Sequence, residues 1–156
     1  EVLPVKSIFA SLLNQIIFTI LLLGFLLVTQ HALPWTWALL PGLILLQVLL
    51  MVGLGYLLSS VGAFVRDLRD LVLIVSAVGI YAAPIFYTVE MVPENLRFLI
   101  YFNPFSYIIE CFHDLCYHGY IAHPWAWAAT LAMSLAAFYV GYRVFRKLKT
   151  MFGNVL

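Results

Sequence analysis

Four residues in the last third of the chain could do chemistry: Glu110, His113, Asp114 and His118. Glu110 and His113 make a Glu-x-x-His pair, the spacing of carboxylate-bridged metal sites. Such sites need further carboxylates from neighbouring helices, and the long apolar runs of this chain offer none. Asp114 and His118 stand one helical turn apart, a spacing that holds a metal only weakly. The reading that remains makes Glu110, His113 and Asp114 the polar face of an amphipathic helix, turned to water or a pore mouth, with no metal. A second group, Arg66, Asp67, Arg69 and Asp70, alternates in sign. Arg66 and Asp70, opposite in sign and one turn apart, support a short helix, and complementary charge sets register on a partner. The plain alternative is a solvated turn. Tyr81, Phe86 and Tyr87 gather around Pro84. Aromatic rings near a membrane surface are anchors. They also suit the lining of a channel. Pro84 removes a helix N–H and allows a kink.

Other chemistry is missing. There is no Gly-rich phosphate loop with its lysine and no ordered Ser/His/Asp set. The chain is therefore expected to be no enzyme and to bind no ATP itself. Cys111 and Cys116 are five apart and read as free packing residues.

The elements that hold these residues follow from composition. Of 156 residues, 65% are apolar and 10% charged, against about 45–50% and about 25% in soluble domains. A globule this small could not hide that much apolar surface. A net charge of +1 leaves no footprint for nucleic acid. The chain reads as an all-α integral membrane protein. Uncharged runs predict four transmembrane helices at about 7–29, 35–63, 71–89 and 125–144. Lys6, Arg66, Arg69, Arg143, Arg146, Lys147 and Lys149 then share one side, which is cytoplasmic, and both ends of the chain lie there. Trp35, Trp37, Trp125 and Trp127 mark the opposite surface. Between the third and fourth spans, Pro93 with Glu94 and Asn103 with Pro104 read as two helix starts. They predict two short outer re-entrant or interfacial helices over about 93–118. Phe105, Ile108, Ile109, Phe112 and Leu115 give the second an apolar stripe, and Gly119 stops it. Tyr81, Pro84, Phe86, Tyr87, Asn103, Pro104, Phe105 and Phe112 are then the expected channel and outer gate. Gly53, Gly55 and Gly62 are expected to let helices approach closely. Asn14, Gln15 and Gln47 are either glue between helices or channel lining.

The order of these features resembles ABC-2 type permeases, specifically the branch that exports O-antigen, capsule or teichoic acid precursors. The resemblance rests on Glu1–Val5, Gly53–Ser60, Val65–Leu71, Ala83–Arg97 and the Asn103–Glu110 helix start. It covers essentially the whole chain, as the C-terminal portion of one transmembrane domain. It implies that about 100 N-terminal residues, with two spans and a first coupling helix, precede this stretch. Where the family often carries Arg and Asp, this chain has His113 and Asn154. The resemblance implies a permease subunit of an ATP-driven exporter in the bacterial inner membrane. Its implied partners are a separate ATPase subunit holding ATP and magnesium, a second permease copy, a lipid-linked glycan and membrane lipids. Arg66, Asp67, Arg69 and Asp70 would then couple to the ATPase. Competing readings are a membrane-embedded enzyme acting on a lipid-linked substrate, a drug-exporting relative, and a membrane anchor.

Overall fold

The computed structural model describes residues 2–30, 34–62, 64–65, 67–85, 87 and 89–152. Arg66 and Phe86 lie outside them. Six α-helices follow in order: α1 Val2–Gln30, α2 Leu40–Gly62, α3 Leu68–Ala82, α4 Arg97–Phe102, α5 Pro104–His113 and α6 Pro124–Phe152. Among the described residues there is no strand. Three stretches are long and apolar enough to cross a membrane: Ile8–Thr29, Trp35–Gly62 and Pro124–Leu148. A 3-10 turn, Trp35–Leu39, leads into α2, and a π-helical turn, Asp114–His118, ends α5.

α2 and α6 form the main pair, and they run the same way. Leu40 and Leu43 near the start of α2 share a core with Ala126 near the start of α6. Further along, the Tyr56 ring stands 6.4 Å from Tyr142 and 5.0 Å from Phe145. Between these contacts the helices touch through glycine. A Cβ on Gly53 would strike the backbone of Ala137 and Phe138, and one on Gly141 would strike the carbonyl of Gly53. Small residues give apolar helices this close approach, and with it dispersion contacts that lipid cannot replace. Gly53 was expected to act this way.

The parallel pair defines two ends. Trp35 and Trp125 begin their helices at one, the tryptophan end. Arg143, Arg146 and Lys147 close α6 at the other, the basic end. α1 packs on α2 through a bond in which the Gln15 amide donates to Gln47 Oε1 at 2.7 Å. These two residues are interhelical glue, whereas Asn14 is exposed. None of the α1 stretch that could cross a membrane is buried. That surface suits lipid or a protein partner, and not water.

The third predicted span, 71–89, is corrected by the structure. Its helix starts at Leu68 and stops at Ala82. Pro84 is the cause: it cannot donate to the helix ladder, and it drives Ala83 into extended backbone at φ −83°, ψ 142°. The 15 residues of α3 cover about 22 Å, short of a bilayer core of about 30 Å. The helix that holds the fourth predicted span, 125–144, runs on to Phe152. Gly119 ends the π-helical turn as expected, at φ 70°.

Candidate functional site

The residues singled out by type and spacing fall into three places. The first is the end of α3. Helix ends leave carbonyls short of partners; here residues from beyond the helix donate to two of the last turn's carbonyls, of which Gly79's also accepts from the Ala83 N–H at 2.9 Å. Asn103 Nδ2 donates to the Gly79 carbonyl at 2.9 Å, while its Oδ1 accepts from the Phe105 N–H at 3.1 Å. One buried side chain thus caps the start of α5 and pins it to the end of α3. The Tyr87 hydroxyl donates to the Tyr81 carbonyl at 3.0 Å. Tyr81, Pro84, Tyr87, Asn103 and Pro104 therefore lie around the end of α3, with Pro84 fully buried and the Tyr81 ring exposed. Phe105 and Phe112 are not brought together. Phe105 is half-exposed beside an apolar cavity of about 240 Å³ that Leu50, Leu54 and Met133 also line. Phe112 packs on the core at the tryptophan end. Asn103→Ala removes a cap and a bond to Gly79. It is expected to destabilise the protein by about 1–2 kcal/mol, read as a lower unfolding temperature in detergent, with Asn103→Asp recovering only the cap.

The second place is the basic end. Asp67, Arg69 and Asp70 are exposed where α3 begins. Beside them lies an open, apolar groove of about 320 Å³ between Leu58, Gly62, Leu68 and Val72.

The third place overturns an expectation. Glu110 and Asp114 do not face water: Glu110 is 4% exposed and Asp114 0%. α5 has neighbours on two sides, α2 and α6, so the acids meet α6 while Ile108 and Leu115 are also buried. α5 and α6 are antiparallel. Asp114 meets Trp127, Cys111 meets Thr130 at 3.6 Å, and Pro104 lies level with Ala136 and Ala137. Asp114 sits against the start of α6, where the positive end of the helix dipole favours an anion. Its Oδ2 accepts from the His123 backbone N–H at 3.0 Å and from the Trp127 indole at 3.3 Å. Its Oδ1 stands 3.0 Å from His123 Nδ1 and 3.6 Å from His118 Nδ1.

Glu110 lacks such help, and its Oε2 is buried without a partner. Burial pushes its carboxyl above the usual range, with His123 opposing and Asp114 adding to the shift. Burial likewise lowers His113, helped by His118, and raises the Cys111 thiol to about 11. Both cysteines are free. A ring of aromatic contacts surrounds the acids: Trp125 meets Tyr101, Tyr107 and His123 with centroids 5.3, 5.7 and 5.9 Å away. The sequence reading missed His123, Trp127, Thr130 and Ser134. Their signal was there, because Thr130 and Ser134 stand one turn apart inside an apolar run.

The arrangement offers paired apolar helices, a helix hairpin braced by buried acids, and a charged turn at the opposite end. Residues 4–117 match the family described as ABC-2 type transporters. The chain belongs to that family. Two curated relatives are named O-antigen export system permease protein RfbA, both from Klebsiella pneumoniae. One is 26% identical over 158 residues, covering all of this chain and 60% of that protein. The other is 28% identical over 125 residues, covering 80% of this chain and 48% of that protein. The chain thus spans roughly half the length of the relatives it matches. ABC-2 proteins of this kind are transport permeases, and the apolar helices make this one a membrane protein.

Proposed function

We propose that this ABC-2 chain is the C-terminal portion of a permease that exports lipid-linked polysaccharide across a bacterial inner membrane. It works as two permease copies with a separate ATPase subunit, which holds ATP and magnesium. The observation that carries this reading is the likeness to two O-antigen export permeases, over all of this chain in one and 80% of it in the other.

The topology proposed for it has four crossings. α2 ends at the basic end, and α6, running parallel, begins at the tryptophan end. The chain between them must therefore return across the membrane. α3 starts that crossing, and the segment after Pro84 completes it. Pro104 lies level with Ala136, about 18 Å along α6 from Pro124. α4 and α5 would thus form a hairpin that dips into the membrane and comes back. Irregular backbone is tolerated there because protein surrounds it. Lys6, Arg69, Arg143 and Arg146 support a cytoplasmic basic end, with both ends of the chain there.

The exposed turn of Asp67, Arg69 and Asp70, with Arg66 before it in sequence, docks on the ATPase beside the apolar groove. Tyr81, Pro84, Tyr87 and Asn103, where α3 meets α5, form the gate. Phe86 joins them by sequence alone. Substituting Arg66→Glu and Arg69→Glu together is expected to abolish ATP-dependent export while leaving permease in the membrane. Exposed charge reversals seldom unfold a protein. The assay is glycan on the cell surface, read beside co-purification of the ATPase subunit. Normal export by the double variant would remove the turn from the coupling path. Turnover of a lipid-linked substrate by the permease without an ATPase would favour an enzyme instead.

A further inference from the structure

The polar groups buried between α5 and α6 divide into two halves. At the tryptophan end every Asp114 oxygen has a donor or a ring nitrogen beside it. Deeper in the seam, Glu110 Oε2, Ser106 Oγ and Ser134 Oγ are all buried, and all lack a partner. Ser106, Glu110 and Asp114 follow one another at successive turns of α5 and share one face. Thr130 and Ser134 do the same on α6. The contacts of Asp114 with Trp127 and of Cys111 with Thr130 fix the antiparallel register. In that register Ser106 and Ser134 lie at one level, with Glu110 one turn nearer to Asp114, beside Thr130. Three unpartnered polar side chains, each at least 96% buried, therefore converge on one stretch of the helix interface: Ser106 is 1%, Glu110 4% and Ser134 0% exposed.

Among the described residues no base is hydrogen-bonded to the acid. His123 ahead of α6, Asp114 and Cys111 on its own helix, and Tyr101 on α4 are the ionisable groups that act on it or feel it. α2, the other helix against α5, has no acid or base. His123 is held by Asp114. A carboxylate at Glu110 would carry an unpaired charge and could only accept hydrogen bonds. The neutral acid brings an O–H donor as well. Buried hydroxyls and acids left without protein partners are met in folded proteins by internal water with two to four polar neighbours.

We propose that the deeper half of this seam is a binding site for a proton and internal water, in which Glu110 stays protonated at neutral pH and water joins it to Ser106 and Ser134. The site makes the grip of α5 on α6 depend on that proton. Losing it places a bare charge in the seam. The folded protein then binds more protons than the unfolded chain, starting at the ordinary glutamate range. Its stability falls as pH rises from that range through the folded-state value, and levels off above it.

Infrared difference spectroscopy of the permease in lipid vesicles reads the carbonyl stretch of a protonated carboxyl directly, separate from carboxylate bands. The expected spectrum at neutral pH has such a band, lost in Glu110→Gln and shifted by Ser106→Ala and by Ser134→Ala. A Glu110→Gln difference confined to carboxylate bands overturns the proposal. So does a carbonyl band that neither serine variant moves. A sodium-dependent change in carboxylate bands would show that a cation fills the seam, and that also overturns it. If Glu110→Gln does not fold, the wild-type band decides alone: persistence to neutral pH supports the site, and its absence there refutes it. Unfolding temperatures give an independent reading. Wild type should lose stability relative to Glu110→Gln as pH is raised from the acid range, and a constant difference would count against the site.

Discussion

Replacing Gly141 with leucine is expected to drive α2 and α6 apart and to leave little folded permease. No rotamer avoids the clash, because the obstacle is the Gly53 carbonyl and not a movable side chain. The same holds in reverse for Gly53→Leu, where the obstacle is the backbone of Ala137 and Phe138. Overpacking a core costs typically about 1–3 kcal/mol, and here the backbone itself must move, so the upper end or beyond is expected. Gly141→Ala should be milder only in degree, since even one methyl meets the carbonyl. The effect should spread, because α6 also carries the partners of α5: Thr130 for Cys111, and Trp127 for Asp114. Size-exclusion profiles and thermal unfolding in detergent check this. Gly24→Leu is the control, on the open face of α1, where a Cβ meets nothing within 4 Å. Equal stability of Gly141→Leu and Gly24→Leu would mean that the two helices are not held by this crossing.

Much of this was legible in the sequence, for reasons that can be traced. The three long apolar runs appear as helices because their length matches a bilayer and charges are absent from all of them but the last turns of the third, where Arg143, Arg146 and Lys147 lie. Asn103 with Pro104 was readable as a helix start because both residues act through the local backbone, and the cap is there at 3.1 Å. Gly119 was readable for the same reason. The failures concern relations between distant segments. Sequence showed Pro84 but not that it would end α3 outright, since prolines inside apolar helices can be absorbed by neighbours. The face of α5 was assigned by assuming that carboxylates seek water. That rule fails when donors come from another part of the chain, as His123 and Trp127 do for Asp114. No periodicity in α5 encodes those donors. Thr130 and Ser134 were passed over because two small hydroxyls barely alter the apolar character of α6, yet both are fully buried.

The largest polar effect is expected at Asp114. Its removal in Asp114→Ala strands the His123 backbone N–H and the Trp127 indole, and it leaves His123 Nδ1 without its carboxylate. Leaving a buried donor unmet costs about 1–3 kcal/mol, and both the His123 backbone N–H and the Trp127 indole N–H are stranded. Asp114→Asn is the informative comparison. Its amide oxygen can still accept one or two of those hydrogen bonds, but it brings no charge to the start of α6. Exposed charges near a helix end contribute about 0.3–1 kcal/mol, and partly buried ones up to about 2 kcal/mol. The alanine variant should therefore unfold well below the asparagine variant, and both below wild type. A local signature should accompany the loss. Trp127 fluorescence should shift to the red in Asp114→Ala as water reaches the indole, while Trp35, 65% exposed already, adds a constant background. The Thr36 hydroxyl donates to the Leu115 carbonyl at 3.1 Å, so the hairpin keeps one anchor to the turn before α2. Combining Asp114→Ala with Thr36→Val should release the end of the hairpin nearest Gly119, since Asn103 still ties the start of α5 to α3. Opening would show as labelling of Cys111, which is fully buried in the folded protein, by a water-soluble maleimide. An unlabelled Cys111 in the double variant would show that α5 is held by its apolar contacts with Leu40, Leu43 and Ala126, and that Asp114 only tunes the start of α6.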